Sequence, residues 1–244
     1  MKKLQLDSKM PLYAQLKDIL KKQITEQVWK PGDTIPPESV LVKEYSVSRS
    51  TVRQAINELV QEGFLTRQRG RGTFVKQPKL EVGLQKLYSF TEDISAKGMR
   101  PESRLLEFDI VVAKQDVIKA LNLNEGDLVC KIVRLRLAND EIIMVETTYL
   151  PFDICSNLTK EDLESAPLYS ILEEKYNISI ERAIDYFEPV IVDSLNSSLL
   201  DVPKGSAALY LVRIGSDQQG TPIELSQSYV RGDRSRYYVE LIKQ

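Results

Sequence analysis

The chain has 244 residues, 42% of them hydrophobic and 28% charged, the balance of a folded globular protein with one large domain or two ordinary ones. It contains no histidine, which excludes a Ser-His-Asp triad, a Cys-His pair and every His-ligated metal site, and two cysteines alone cannot complete a zinc site. The net charge of −2 hides an asymmetry: residues 1–76 hold 14 Lys+Arg against 8 Asp+Glu, and the other 168 hold 19 against 27, so a basic head that could meet a polyanion precedes an acidic body.

The opening MKKLQLDSKMPLY has two lysines but no apolar run after them, and no stretch approaches the roughly 18 apolar residues of a membrane span. A cytoplasmic protein is expected, with Cys130 and Cys155 reduced and buried rather than joined. From Pro11 onward, Leu12, Leu16, Ile19, Leu20 and Ile24 recur at helical spacing, until Lys30-Pro31-Gly32 stops the helix. A second short helix fits Glu38–Tyr45 after Pro36-Pro37. The third begins at Ser48, a plausible N-cap, carries the stripe Val52, Ala55, Ile56 and Leu59, and ends before Gly63. Two short strands then flank Gly70-Arg71-Gly72. Three helices followed by a hairpin is the order of a winged helix-turn-helix.

Opposite its apolar stripe, the third helix presents Arg49, Ser50, Arg53, Gln54 and Asn57, with Ser48 and Thr51 at its start. Arginine can hold guanine by two hydrogen bonds, Gln can contact adenine, and hydroxyls suit phosphates. The hairpin adds Arg67, Arg69 and Arg71, with Gly70 and Gly72 permitting close backbone approach to a groove. An ordinary solvated helix face is the alternative for either segment alone; both together, in a basic head, favour DNA.

Residues 77–83 read as a linker and hinge, closing a first domain at 1–76 and opening a second at 84–244. Beyond it, strands fit about 103–112, 128–138, 142–150, 179–192, 207–216, 222–231 and 236–242, and helices about 115–121, 160–165, 168–176 and 193–200. The class is therefore α+β, built on a mainly antiparallel sheet. In the strand DLVCKIVRLRL, Arg134 and Arg136 share one face, either as an anion clamp if enclosed or as a solvated outer face. Glu146 follows among apolar neighbours. A two-residue loop at Asn139-Asp140 pairs Arg134 with Val145, whereas a three-residue loop pairs it with Glu146.

The run PLYAQLKDILKKQI, PGDTIPPES, YSVSRSTVRQAINELVQEGFL and RGRGTFV resembles the GntR family of bacterial regulators across residues 10–75. The resemblance implies that Arg49 and Arg53 contact bases or nearby phosphates beside Ser50 and Thr51, and that Gly70 and Gly72 sit at the minor groove. Many members carry Arg where this chain has Ser39. SFTEDISAKGMRP, the arginine strand, YLPFDI, PLYSIL and PIELSQSYVRGD resemble the UTRA effector domain of the HutC subfamily, similar in fold to chorismate lyase. That likeness implies an anion held by the Ser89-Phe90-Thr91 turn with Arg134 and Arg136, hydroxyls or amides met by Glu146, Tyr169 and Glu224, and the three-residue loop.

The expected protein is a homodimeric repressor that binds a pseudo-palindromic duplex and responds to a small anionic metabolite. A sugar phosphate is favoured, with an amino-sugar phosphate as the leading candidate; Pro167 and Val230 stand where amino-sugar-phosphate sensors have Ser and Tyr. No cofactor, metal or membrane partner is expected. Two other readings remain: a DNA-binding protein whose large domain only dimerises or meets a protein, and a lyase-like enzyme using carboxylates or lysine.

Overall fold

The apolar spacing of residues 12–59 forms helices in the computed structural model: α1 (Leu12–Thr25), α2 (Glu38–Tyr45) and α3 (Arg49–Gln61). The structure describes residues 4, 10–68 (Gln68 by its backbone), 70–76, 79–84 and 89–242. Leu16 and Leu20 of α1, Leu41 of α2 and the expected stripe of α3 pack into one core with Ile35, Leu65 and Val75. Gly63 ends the segment after α3 at φ +80°, a conformation that costs glycine little. Strands β1 (Leu65–Gln68) and β2 (Gly72–Val75) pair antiparallel, and Thr34 bridges Phe74 beside them. This first unit, 1–78, has the order of a winged helix.

The second unit, 79–244, is built on a six-stranded antiparallel sheet. Its strands are β4 (Pro101–Val112), β5 (Leu128–Ala138), β6 (Glu141–Pro151), β7 (Arg182–Ile191), β8 (Ala207–Ser216) and β9 (Pro222–Arg231), in spatial order β4-β5-β6-β9-β8-β7. Helices α5 (Gln115–Leu121), α6 (Lys160–Ser165), α7 (Leu168–Tyr176) and α8 (Ser194–Leu199) follow the expected positions. Cys130 and Cys155 are free thiols buried in a core shared with α6 and α7.

Three expectations need correction. The linker 77–83 does not run its full length: Leu80–Gly83 is strand β3, with Leu80 and Val82 buried. It pairs parallel with β10 (Ser235–Tyr238), the shorter form of the strand expected at 236–242. A partner about 150 residues away leaves no local mark, so the charges and proline around β3 read as a connector; Gln77 and Pro78 lie outside the described residues. The Ser89–Thr91 segment is not a plain turn but the start of helix α4 (Phe90–Ala96), with Ser89 as its N-cap residue.

The β5–β6 hairpin combines the two loop alternatives. Asn139 and Asp140 both have positive φ, 49° and 65°, as a two-residue type I′ turn demands, and Ala138 faces Glu141. The ladder then shifts between Leu137 and Arg136, and Ile143 opposes no residue. That bulge advances the register by one, so Arg134 faces Glu146 and Arg136 faces Met144. The pairing is that of the three-residue loop, reached by a shorter turn and an inserted residue.

Candidate functional site

In the first unit the site begins with a cap. The Ser48 hydroxyl accepts from the Thr51 backbone N–H at 3.1 Å and lies 2.7 Å from the Ser50 hydroxyl and 2.8 Å from that of Thr51. The Ser48 hydroxyl thus helps start α3, satisfying a donor that the helix leaves unpaired. Arg49, Ser50, Arg53 and Gln54 are exposed together, opposite the buried stripe. Arg71 is exposed at the hairpin tip between Gly70 and Gly72, whose φ values are +76° and +125°. A Cβ on Gly72 would also lie 3.3 Å from Thr34, so this position suits glycine on two counts. Arg69 lies outside the described residues.

In the second unit, the eight residues singled out for an effector line one open cleft with about 550 Å³ of free space, solvent included. The start of α4 contributes Ser89, Phe90 and Thr91, β5 contributes Arg134 and Arg136, β6 contributes Glu146, α7 contributes Tyr169 and β9 contributes Glu224. Arg134 Nη2 donates to Glu146 Oε1, and Arg136 Nη1 lies 3.7 Å from the same oxygen. Arg136 also donates to Thr91 Oγ1 at 3.2 Å and stands 4.8 Å from the Phe90 ring centroid, a cation–π distance. The Arg134 Nε is buried and makes no hydrogen bond among the described residues. Such a donor carries a desolvation penalty that an anion would relieve.

The other pole of the cleft is anionic. Tyr169 donates to Glu224 Oε2 at 2.7 Å. Sequence reasoning missed Arg213 of β8, held bidentately by Asp185 of β7 at 2.7 Å for each bond, and Ser226 and Ser228, which alternate with Glu224 along β9. The period-two run Glu-x-Ser-x-Ser and a lone Arg in LYLVRIG were available signals.

The two buried glutamates differ electrostatically. Burial pushes the Glu146 carboxyl up, but the charges of Arg134 and Arg136 outweigh it and hold the group below its ordinary range. Burial dominates at Glu224 and pushes it from 4.5 up to about 6; the Tyr169 hydrogen bond opposes this and the Glu146 charge adds to it.

A pH prediction follows for Glu224. Below pH 4.5 it is protonated both folded and unfolded, and costs nothing. Between 4.5 and 6 the unfolded chain loses its proton first, so folding is increasingly disfavoured as pH rises. Above 6 the penalty is constant, about 2 kcal/mol. Glu224→Gln keeps an acceptor for Tyr169 and removes this penalty. Its thermal midpoint should exceed that of wild type by a margin that opens between pH 4.5 and 6 and then stays level. A margin that shrinks with rising pH would contradict the assignment.

Among the described residues no helix is long and apolar enough to cross a membrane, and no group of His, Cys, Asp and Glu could hold a metal ion. Residues 12–75 match the model for bacterial regulatory proteins of the gntR family, and residues 96–236 match the UTRA domain. The chain is 37% identical over 227 residues to the HTH-type transcriptional repressor NagR of Bacillus subtilis (strain 168), covering 93% of each. It is 30% identical over 227 residues to the mannosyl-D-glycerate transport/metabolism system repressor MngR of Escherichia coli (strain K12), covering 93% of this chain and 94% of MngR. The crystal structure of PhnF from Mycobacterium smegmatis superposes with a TM-score of 0.65 at 27% identity, covering 96% of this chain and all of that one. These families and relatives are transcriptional regulators, not enzymes, so the lyase-like reading falls away. The chain belongs to the gntR family of bacterial regulatory proteins and is a transcriptional repressor of the GntR/HutC type, with a UTRA effector domain as its second unit.

Proposed function

We propose that residues 1–76 bind an operator duplex in the cytoplasm through α3 and the hairpin, and that a small anionic effector in the cleft of the second domain weakens that binding. The observation that carries this reading is the convergence of two buried arginines, the start of α4, and Glu146, Tyr169 and Glu224 on one cleft. A phosphate or carboxylate fits the pole made by Arg134, Arg136 and Thr91, where charge-assisted bonds can form. Hydroxyl or amine donors fit the pole of Glu224, Ser226 and Ser228. A sugar phosphate has both ends, and an amino-sugar phosphate is the leading candidate. Pro167 lines the cleft without a hydroxyl and Val230 is buried in the core, so neither supplies a polar contact. A two-fold homodimer would place two copies of α3 on a pseudo-palindromic site.

The test uses a duplex selected by the protein from a randomised pool. Its affinity should fall roughly 5–150-fold when glucosamine 6-phosphate or another sugar phosphate saturates the protein, for a coupling of about 1–3 kcal/mol. By reciprocity the duplex must weaken sugar-phosphate binding by the same factor. If no sugar phosphate or organic acid raises the thermal midpoint or alters duplex affinity, the cleft is not a sensor and the domain serves assembly alone.

A further inference from the structure

Glu38 opens α2, and both oxygens of its carboxylate face arginines of other elements. Its Oε2 lies 3.2 Å from Nε of Arg53 on α3, and its Oε1 lies 3.5 Å from Nη2 of Arg67 on β1. Stability does not account for this arrangement. The Arg53 side chain is 69% exposed, and ion pairs so open to water contribute little to folding. A carboxylate in the first turn of a helix is favourable on its own, but that interaction needs neither arginine. The placement also works against simple attraction to DNA. A negative charge stands among Arg53, Arg67 and Arg71, in a unit whose basic balance attracts a polyanion.

What the contacts do accomplish is geometric. A free arginine must surrender rotamer freedom when it meets a base, and a neighbouring carboxylate that biases its rotamers reduces that loss. Glu38 meets Arg53 at Nε, the nitrogen set back from the two terminal Nη nitrogens. Those are the two donors that an end-on contact with guanine O6 and N7 requires. The same carboxylate ties the hairpin strand to the helix, so the two arginines share one spatial reference.

We infer that Glu38 is a positioning residue for DNA reading: it holds Arg53 of α3 and Arg67 of the hairpin in one arrangement, trading general attraction to DNA for discrimination. This rests on the reading of α3 as the helix that meets the duplex.

The test compares Glu38→Gln with wild type on the selected duplex and on a random-sequence duplex of equal length, across a salt series. The variant keeps the shape and removes the charge. Binding to random duplex should hold or strengthen, and binding to the selected duplex should weaken roughly tenfold, with the thermal midpoint lowered only by the few degrees that the lost helix-terminus charge accounts for. In an Arg53→Ala background, Glu38→Gln should cause a smaller further loss of discrimination than in wild type, because only Arg67 is left for it to hold. Parallel loss on both duplexes with a midpoint lowered by much more than that would make Glu38 merely structural and overturn the inference. An unchanged ratio between the duplexes would also overturn it. If Arg53→Ala alone leaves both affinities intact, the reading of α3 fails and the inference with it. If Arg53→Ala lowers the ratio while Glu38→Gln does not, the inference fails alone.

Discussion

Replacing Arg134 by Ala together with Glu146 by Gln is expected to yield a repressor that folds, binds its selected duplex as wild type does, and responds to an anionic effector only at roughly 10–150-fold higher concentration. The paired substitution follows from the cleft itself. The Arg134 and Glu146 side chains are only 5% and 13% exposed, and Arg134→Ala alone would strand a buried carboxylate. Breaking a buried pair from one side costs about 3–5 kcal/mol. Arg136, 3.7 Å from the same Glu146 oxygen, compensates in part and puts the single variant near the lower end. Arg134→Ala should therefore melt well below wild type, and adding Glu146→Gln should recover most of the difference. Losing one charge-assisted contact of about 1.5–3 kcal/mol would weaken effector binding roughly 10–150-fold in either variant. Thermal midpoints and duplex titrations with and without sugar phosphate check each part. A double variant that still responds like wild type would remove Arg134 from the anion site. One that stays folded but cannot bind the duplex would show that the pair serves DNA binding instead.

Leu59→Ala should destabilise the first unit and weaken duplex binding without touching any residue proposed to meet DNA. Leu59 lies on the inner stripe of α3, fully buried among Leu16, Leu20, Leu41 and Ile56. A buried Leu→Ala change costs about 2–5 kcal/mol, from lost transfer energy and the cavity left behind. A unit of under 80 residues commonly holds only about 3–5 kcal/mol of net stability, so the loss is comparable to the whole. Circular dichroism should show lost helix, and affinity for the selected duplex should fall in proportion to the unfolded fraction, by up to roughly 30-fold if the cost exceeds the stability by about 2 kcal/mol. Leu59→Met keeps the volume, costs less than about 1.5 kcal/mol, and should bind nearly as wild type. A Leu59→Ala variant with the thermal midpoint and helix content of wild type would mean that this core does not hold α3 in place.

Both experiments depend on features that differ in how far the linear chain reveals them. The helices of the first unit were legible because a helix writes its buried face at short range. Leu16 and Leu20, or Val52, Ile56 and Leu59, lie within a few residues of one another, and Ser48 and Gly63 mark boundaries by local backbone chemistry. The strands of the second unit were legible for the same reason, since apolar runs and turn residues are local. The likeness of two long segments to the GntR and UTRA patterns added which side chains to watch, and the cleft gathers all eight of those assigned to an effector.

What the tertiary structure alone decided is pairing. Whether Glu146 faces Arg134 depends on Ile143 dropping out of the β5–β6 ladder, and no local preference distinguishes that bulge from a longer loop. Strand β3 exists because Ser235–Tyr238 lies beside it, and α4 is too short, with too weak a cap, to stand out from a turn. Arg213 finds Asp185 across neighbouring strands, and Glu38 finds Arg53 and Arg67 across three elements. Apart from β3 and α4, the chain by itself determined the elements, their apolar faces and the residue types available for chemistry, because those follow from periodicities of two and 3.6. It left open which charges would meet, because charge pairing requires chain segments far apart in sequence to be brought within a few ångströms, and only the folded core does that.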